Sequence, residues 1–402
     1  MRILHVTREI GSDRRYGIGR SLAPVVQALQ ARGHEVRYLT QDDQSPRGRA
    51  WQQRWTERLA PWARRIYGAQ AECFASIWLE RLNMGRLAAK VASSARADVV
   101  HLHDPWIGWG FRLARHVHGV ASCRWGITQH GFGCYTDAIR EEGVPYTARL
   151  LRQHRRLEAG VLTAADWVIC PTRSARAQLA RDLCQVAVPA HWHAVPHPQP
   201  IAPRLSQEQA RRQLGWTGDA WHVVAVGRLN PVKRFDQLVR AVVALAEQTG
   251  ESGTCQQIQL TILGEGDPRS LHEIAALAKV GAVSLDVRTV DEVWPYLRGA
   301  DVYVSCTANE SFGLANLEAQ AAGAPVLCTA VGGVPEVTGG GAWLVPGDDA
   351  ALVPAVANAL GTLLSNASQR KRMGEVGRAH AQSWPDASEV ARQLEAVYAS
   401  GG

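Results

Sequence analysis

The chain turns from a predicted strand into a predicted helix at Asn309-Glu310-Ser311-Phe312-Gly313-Leu314-Ala315-Asn316-Leu317-Glu318-Ala319. Residues 301–306 before this run have the apolar character of a buried strand, and Gly323 with the following Ala-Pro ends the helix. A strand, a tight turn and a helix aim backbone N–H groups and the positive helix end at whatever lies above the turn. An anion such as a diphosphate would suit these donors. Glu310, before the helix, and Glu318, predicted in its first turn, would accept hydrogen bonds from hydroxyl groups on either side.

Glu310 and Glu318 are separated by seven residues, and the run resembles the E-x7-E motif of retaining nucleotide-sugar glycosyltransferases of family 4, which are similar in fold to glycogen synthase and sucrose synthase. Two glutamates at this spacing are by themselves more typical of a solvated helix face. The neighbouring sequence carries the resemblance. Ser-Phe-Gly-Leu lies between the glutamates, Ala-Gly-Ala-Pro-Val follows at 322–326, and Gly332-Gly333-Val334-Pro335-Glu336 comes next.

The resemblance implies an α/β fold of the GT-B type, with two Rossmann-like domains that contain parallel sheets and face a cleft. We expect residues 1–195 to form an acceptor-binding domain and residues 204–383 a nucleotide-sugar-binding domain, with a C-terminal helix in 384–402 crossing back onto the first. Both domains open with a strand, a loop and a helix, which predicts parallel strands. Residues 189–203 contain five prolines and are predicted to be a stiff linker.

Length and composition are those of a globular protein of two or three domains, with 402 residues of which 46% are hydrophobic. The start resembles a buried strand rather than a signal peptide, and no apolar run reaches the roughly 18 residues that a membrane span needs, so we expect a cytoplasmic protein. Eight cysteines without a C-x-x-C pair favour reduced thiols over disulfides or zinc. The net charge of +7 suits anionic substrates or membranes, whereas the lack of any RNP, homeodomain or zinc-finger pattern argues against nucleic acid.

Residues 45–95 interrupt the alternation of strands and helices and are predicted to be an inserted helical region rich in tryptophan and arginine. Apolar side chains recur at spacings of three and four along one helix face, at Trp51, Trp55, Leu59, Trp62 and Ile66. Six arginines surround them against one acid, and Pro61 is predicted to split the region into two helices. Two interpretations stay open. The face either docks peripherally on an anionic membrane surface, at the inner side, or covers the core of the N-terminal domain.

The loop after the first strand carries Tyr16-Gly17-Ile18-Gly19-Arg20. Open α/β sheets bind ligands beyond the carboxyl ends of their strands, and glycines there allow a close backbone approach to a phosphate or sugar. We predict Gly17 and Gly19 as donor-binding residues, with ordinary tight-turn glycines as the alternative. Tyr16 and Arg20 are predicted on the acceptor side. Pro24 is expected to delay or kink the helix that follows.

Two further strands run into polar side chains at the same predicted edge. Residues 98–104 end in His103 and Asp104, which we predict on the acceptor side. Residues 125–133 follow, and His130 lies there in a Thr-x-His-Gly context. A lone histidine is more often structural, but this context matches the histidine that family members place beside the donor sugar.

Arg228 and Lys233 follow a strand of the second half in a Gly-Arg-Leu-x-x-x-Lys pattern that matches the family's phosphate-binding pair. Charge builds on a departing diphosphate, so fixed cations there should dominate catalysis. The resemblance implies that Glu310 holds hydroxyls of the donor sugar, that Glu318 binds the ribose, and that His130 contacts the sugar or phosphate. The remaining donor-binding residues that it implies are Gly227, Gly264, Phe312, Gly313 and Leu314.

No D-x-D pattern occurs in the sequence, so we expect neither a metal nor another cofactor. The resemblance implies retention of anomeric configuration, by a front-face attack in which the donor phosphate takes the acceptor proton. We therefore predict a retaining, metal-independent glycosyltransferase that moves a sugar from a nucleotide-sugar donor to a glycan or lipid-linked acceptor of cell-surface polysaccharide or lipopolysaccharide. A same-fold nucleotide-sugar epimerase or phosphorylase-like enzyme is one alternative. A non-catalytic nucleotide- or polyanion-binding protein is another.

Overall fold

A computed structural model describes residues 1–9, 18–68, 71–141, 146–216, 220–251, 257–278 and 282–400. The chain divides into two compact units. Unit 1 consists of Met1–Pro198 with Pro385–Gly402, and unit 2 consists of Gln199–Trp384.

Unit 1 is built on a parallel sheet of six strands in the order β2-β1-β3-β4-β5-β6. Its strands are β1 Arg2–Val6, β2 Glu35–Leu39, β3 Val99–Leu102, β4 Arg124–Thr128, β5 Trp167–Cys170 and β6 Trp192–Ala194. The helices between them are α1 Ile18–Ala31, α2 Pro46–Tyr67, α3 Ala71–Ser94, α4 Pro105–Ala114, α5 Tyr135–Glu141, α6 Ala148–Ala164 and α7 Arg173–Asp182. The central strands β3 and β5 are buried along their whole length, as expected when helices cover both faces of a sheet.

Unit 2 repeats the plan with a second six-stranded parallel sheet, in the order β12-β11-β10-β7-β8-β9. Its strands are β7 Trp221–Val226, β8 Ile258–Leu263, β9 Val283–Arg288, β10 Val302–Ser305, β11 Val326–Thr329 and β12 Ala342–Val345. Its helices are α8 Gln207–Leu214, α9 Phe235–Glu251, α10 Arg269–Ala275, α11 Trp294–Gly299, α12 Leu314–Ala322, α13 Val334–Thr338, α14 Asp349–Ser365 and α15 Ala367–Ser383. Three short 3-10 turns occupy Gln41–Asp43, Pro231–Lys233 and Gly339–Gly341.

The last helix, α16 Ala387–Ala399, belongs to unit 1, although unit 2 separates it from the rest of that unit in sequence. Its apolar side, including Val390 and Tyr398, packs with Leu29 of α1 and Trp167 of β5 in one buried cluster. The predicted fold class, with two Rossmann-like parallel sheets and a C-terminal helix that returns to the N-terminal domain, is confirmed.

Three local expectations are corrected by the structure. Pro61 does not split the insert, because α2 continues through it to Tyr67. Pro61 is exposed, so water can satisfy the carbonyl of Glu57 that loses its helical donor. Helix α1 likewise contains Pro24 and is not delayed by it. The stretch predicted to be linker contains β6, which pairs with β5 through Val168 and Trp192.

Within the described residues, no single helix has the length and apolar character needed to cross a membrane, and only the pair α14 and α15, bent by 103° where they meet, passes that test together. The apolar side of α14 lies in the core of unit 2, where Leu352, Val356 and Leu360 are buried.

Candidate functional site

The site in unit 2 lies where its strand order reverses. The chain leaves β7 for β8 and β9 on one side, then returns to form β10 on the other side of β7. A crevice opens at such a switch point beyond the carboxyl ends of the strands. The loops after β7 and β10 contact each other here, since Ala308 donates its backbone N–H to Val232 at 2.7 Å and the Thr307 hydroxyl donates to the same carbonyl at 3.2 Å.

Lys233 and Glu310 meet across this crevice. Asn230 caps the 3-10 turn by accepting the backbone N–H of Lys233 at 3.2 Å, and this hydrogen bond fixes the position of the lysine backbone. The stem of Lys233 lies over Gly227, where an added Cβ would be 3.2 Å from Lys233 Cε. Its Nζ donates to Glu310 Oε2 at 2.7 Å, and the two side chains are 26% and 21% exposed. A cation and a carboxylate from two loops are thus held side by side at a solvent-accessible edge.

Gly264 clamps the loop after β8 against the loop after β7. A Cβ at Gly264 would lie 1.8 Å from the carbonyl oxygen of Gly227, far inside any real contact distance. The backbone N–H of Leu229 also donates to Glu265 at 2.7 Å. The close approach therefore requires glycine, and it sets the path of the segment that carries Arg228, whose side chain is exposed.

The amino end of α12 completes the edge. Gly313 is its cap in the left-handed conformation, at φ +82°, and supplies no side-chain acceptor to the first turn. Phe312 is 2% exposed and packs edge-on against Trp384 with ring centroids 5.7 Å apart. Phe312 was predicted to bind the donor, and because its side chain is buried it could do so only through its backbone. Leu314, also predicted to bind the donor, is the first residue of α12.

Glu318 is the fifth residue of α12, so it lies in the second turn and not in the first, as the sequence had suggested. It is 5% exposed. Burial raises the pKa of the Tyr303 phenol well above its usual value, and Cys328, Glu318 and Glu310 raise it further. Both glutamates of the motif therefore raise the pKa of the same tyrosine.

In unit 1, the predicted residues after β3 and β4 come together at the carboxyl edge of the sheet. His103 is buried, and its Nδ1 lies 2.9 Å from Nε2 of the half-buried His130. Asp104 is 1% exposed and caps α4, accepting the N–H groups of Trp106 and Ile107 at 2.7 and 3.1 Å. It also pairs with the guanidinium of Arg81 at 3.1 Å, which is a structural use of this carboxylate.

Glu9, an acid that the sequence analysis did not identify, lies after β1 and binds the start of α1. Glu9 accepts the backbone N–H of Gly19 and the hydroxyl of Tyr38, each at 2.5 Å. The backbone N–H of Gly19, which was predicted to bind the donor, is thus hydrogen-bonded to the carboxylate of Glu9. Arg20 follows in the same turn and is half-buried, whereas Tyr16 and Gly17 lie outside the described residues.

Helix α2 presents the predicted tryptophan face outward. The large apolar side chains of this helix that are exposed among the described residues, called here the α2 face, are Trp55, Leu59, Trp62 and Ile66, with exposed fractions of 39, 40, 65 and 59%. The interpretation that the face covers the domain core is therefore wrong for these four, and only Trp51 is half-buried, beneath the guanidinium of Arg86. The arginines of this helix are exposed around it, at 47, 49, 54, 58, 64 and 65.

Two sequence profiles match the two units. The family described as Glycosyltransferase Family 4 matches residues 16–198, and that described as Glycosyl transferases group 1 matches residues 206–380. The D-inositol 3-phosphate glycosyltransferase of Salinispora arenicola is 30% identical over 343 residues, which cover 74% of this chain and 69% of that relative. The enzyme of the same name from Thermomonospora curvata is 28% identical over 94% of this chain and 89% of its own length. For the one from Streptomyces scabiei, at 31% identity over 71% of this chain, the match spans 64% of the relative, less than two thirds.

Solved structures share the fold at low sequence identity. The sucrose-phosphate synthase of Thermosynechococcus elongatus has a TM-score of 0.71 at 20% identity, covering 99% of this chain and 98% of its own. HepE from Anabaena, solved in complex with UDP, has a TM-score of 0.67 at 14% identity and full coverage of both chains, 100% each.

Proposed function

This chain belongs to glycosyltransferase family 4, and we propose that it transfers a sugar from a nucleotide-sugar donor to an acceptor hydroxyl, with the donor diphosphate bound at the switch point of unit 2. The observation that supports this most strongly is the contact of Lys233 Nζ with Glu310 Oε2 at 2.7 Å, beside the glycine-capped start of α12. The loops after β7 and β10 both converge there.

The leaving diphosphate is the group that most needs stabilising. Its developing negative charge would be met by Arg228, by Lys233 and by the backbone N–H groups at the start of α12. An ammonium has three N–H donors, so Lys233 can keep its bond to Glu310 while it donates another to a phosphate oxygen. Gly227 and Gly264 also contribute to diphosphate binding, because they let the backbone of these loops approach the ligand closely.

The carboxylates would handle the sugar and ribose. Glu310 accepts hydrogen bonds from hydroxyls of the donor sugar, and its charge stabilises the oxocarbenium-like centre as the anomeric bond breaks. Glu318 would accept hydrogen bonds from the ribose hydroxyls, as the family resemblance implies. The family resemblance implies that His130 also contacts the donor sugar or phosphate. The anomeric configuration is retained, the diphosphate takes the acceptor proton, and the cations replace a metal ion.

The acceptor is a lipid-linked or membrane-surface glycan, of the kind found in lipopolysaccharide or other cell-surface polysaccharides. The α2 face supports this proposal, since four exposed apolar side chains are surrounded by exposed arginines. Apolar rings at the headgroup level and cations near anionic lipid are the two contributions to peripheral binding, at about 1 kcal/mol for each cation near the surface. The enzyme would work at the inner face of the membrane.

A donor panel tests the transferase proposal. UDP-, GDP-, ADP- and dTDP-sugars are compared by thermal shift and by slow hydrolysis with labelled sugar, in buffer with and without EDTA. A donor at 100-fold its Kd stabilises unit 2 by about 2.7 kcal/mol, which is a shift of about 5–10 °C. We expect one base to give this shift, release of the sugar without epimerisation, and no effect of EDTA. Failure of every donor to bind the wild-type protein would reject the proposal, and a salt-sensitive gel shift with random DNA would then favour a polyanion-binding protein.

Vesicle sedimentation tests the membrane part. Wild-type protein should sediment with vesicles containing one third phosphatidylglycerol and stay in solution with pure phosphatidylcholine. Trp55→Ser with Trp62→Ser should abolish sedimentation. Ile201→Ser removes a side chain that is 83% exposed in unit 2, and it should have no effect. Equal sedimentation of the double variant and the wild type would mean that the acceptor is not recognised at a membrane through α2, and a small soluble acceptor would take its place.

A further inference from the structure

A cavity of about 500 Å³ opens in unit 2 at the amino edge of its sheet, the edge opposite the candidate donor site. Asp301, which precedes β10, and Pro325, which precedes β11, both line it. Helix α15 lines it as well, with Gly374 among the contributing residues. The volume is in the range of small-molecule sites, and the mechanism proposed above does not use this cavity.

The cavity carries positive charge that the protein does not neutralise. It is lined by three arginines that form no ion pair with a carboxylate among the described residues, namely Arg298, Arg370 and Arg378. Two acids line it too. Asp301 is 8% exposed and already pairs with Arg211 at 2.8 Å, whereas Glu375 is exposed to water. The arginines are therefore available to an anion from outside the chain.

Two of these guanidinium groups are held in place by backbone carbonyls. Arg298 donates from Nε to Leu205 at 2.9 Å and from Nη1 to Ala322 at 2.8 Å. Its Nη2 has no hydrogen-bond partner in the part of the chain that the structure describes. Arg370 donates from Nη1 to Leu363 at 2.6 Å. A ligand would thus meet cations whose positions are already fixed, which reduces the entropy lost on binding.

Arg298 and Arg378 lie close together with no carboxylate paired to either in the described residues. A Cβ at Gly323 would lie 2.8 Å from Nη1 of Arg298 and 3.7 Å from Cδ of Arg378, so both side chains pass near the same point. Burial lowers the pKa of Arg298, and the charge of Arg378 lowers it further. The two like charges repel each other, and an anion bound between them would be attracted by both.

The lining also limits the chemistry of the ligand. Guanidinium N–H groups match the geometry of phosphate oxygens, and a phosphate monoester carries about 1.5 to 2 negative charges at neutral pH. Among the described lining residues there is no aromatic side chain on which a nucleotide base could stack. A sugar phosphate therefore fits the cavity better than a nucleotide does.

We propose that this cavity is a second ligand site, which binds a small phosphate ester of the sugar-phosphate class through Arg298 and Arg378, with Arg370 as a further cation. Nη2 of Arg298 and the guanidinium of Arg378 donate hydrogen bonds to the phosphate oxygens. The site lies beside Gly323, which ends α12, whereas the candidate donor site lies at the start of that helix. The ester therefore binds without displacing a nucleotide-sugar, and its binding does not depend on sugar transfer.

Calorimetric titration of the full chain carrying Lys233→Met tests the proposal, because this variant lacks the ammonium expected to bind phosphate at the donor site. The probes are ribose 5-phosphate, unphosphorylated ribose and inorganic phosphate. We expect ribose 5-phosphate to bind and to raise Tm by about 3–6 °C at ten times its Kd. Ribose should not bind, and inorganic phosphate should bind at least about 10-fold more weakly. Absence of ribose 5-phosphate binding would overturn the proposal, and equal affinity for inorganic phosphate would overturn its assignment to an ester.

Arg378→Met, made in the same background, locates the binding site. Arg378 has no hydrogen bond or ion pair among the described residues, so its replacement should change the ligand-free Tm by less than about 2 °C. The affinity for ribose 5-phosphate should fall by about 10- to 100-fold, the effect of one lost hydrogen bond between charged groups. The matched control is Arg372→Met, an exposed arginine of α15 that does not line the cavity and should leave the affinity unchanged.

The outcomes separate this site from the transferase activity. Equal affinities of the Arg378→Met and Arg372→Met variants for ribose 5-phosphate would overturn the proposal, even if the enzyme transfers sugar normally. If binding depends on Arg378 but the wild type turns over no donor, the proposed function fails and the second site stands.

Discussion

Replacing Lys233 with methionine separates catalysis from stability at the candidate site. Methionine keeps an unbranched stem that can lie over Gly227 but removes the ammonium. The side chains of Lys233 and Glu310 are 26% and 21% exposed, so water screens the pair and its loss should reduce the free energy of unfolding by only about 1 kcal/mol. For a unit of this size that is a fall in Tm of about 2–4 °C.

The expected effect on turnover is much larger. If the ammonium stabilises charge on the departing diphosphate, its removal should lower kcat by about 100- to 1000-fold, the loss seen when one oxyanion donor is deleted from an active site. The assay is transfer or slow hydrolysis of the donor that the panel identifies, with Tm measured on the same samples. Glu310→Gln and the double variant complete a double-mutant cycle. The kcat of the double variant should be only slightly lower than that of the less active single variant, because the two groups act together.

Lys371→Met is the matched control. Lys371 is an exposed lysine of the same unit, on α15 beside Asp301 and Pro325, which precede β10 and β11 at the opposite edge of the sheet. It should leave both kcat and Tm within error of the wild type. A kcat for Lys233→Met within about threefold of wild type would refute the reasoning, as would a large fall in Tm that accounts for the lost activity.

Two further changes test the scaffold. Gly264→Ala must displace the Gly227 carbonyl, which lies 1.8 Å from the new Cβ, and should lower Tm by about 6–12 °C, equivalent to about 3 kcal/mol. The control is Gly340→Ala, whose new Cβ has nothing within 4 Å and which should leave Tm unchanged. Equal Tm values for the two variants would contradict the close packing of Gly264 on Gly227. Acid should also destabilise unit 1. Burial lowers the pKa of His154 to about 4 and that of His5 to about 3, so the unfolded chain binds more protons below pH 6.5. Each such histidine should remove about 1.4 kcal/mol per pH unit between pH 6.5 and its folded pKa, and urea unfolding that is flat from pH 6.5 to 5 would disprove it.

Local signals explain what the sequence could predict. Gly323 adopts positive φ, at +77°, and it ends α12 where turn chemistry had placed that end. The Gly-Arg-Leu-x-x-x-Lys pattern and the motif glutamate lie after two strands that prove to be neighbours, which is why Lys233 and Glu310 meet. Periodicity also predicted the helix of the insert and its tryptophan face.

The errors came from weighing local preferences without their surroundings. Pro61 costs a helix one hydrogen bond and causes a steric clash, but α2 packs along α3 and exposes that position to water. Strand β6 has three residues, too few to show alternation within a proline-rich stretch. Glu318 was placed one turn too early because the first helical residue, Leu314, has no sequence signal of its own.

Long-range contacts were out of reach. The hydrogen bond between His5 and His103 joins residues 98 apart in sequence, and the residues around His5 give no signal that predicts it. One signal was available: His5 and His101 are polar residues inside otherwise apolar strands, and their backbones proved to be in register. Glu9 gave no comparable signal, since an acid after a strand is common, and only the fold shows that it accepts the N–H of Gly19.

The direct measurement of the central claim is calorimetric titration of wild-type protein and Lys233→Met with the nucleoside diphosphate of the preferred base and with its monophosphate. If Arg228, Lys233 and the start of α12 hold the terminal phosphate, the wild type should bind the diphosphate at least about 10-fold more tightly, because hydrogen bonds to a charged group contribute about 1.5–3 kcal/mol each. Lys233→Met should lose most of that preference. Equal affinities of the wild type for the two nucleotides would contradict the account.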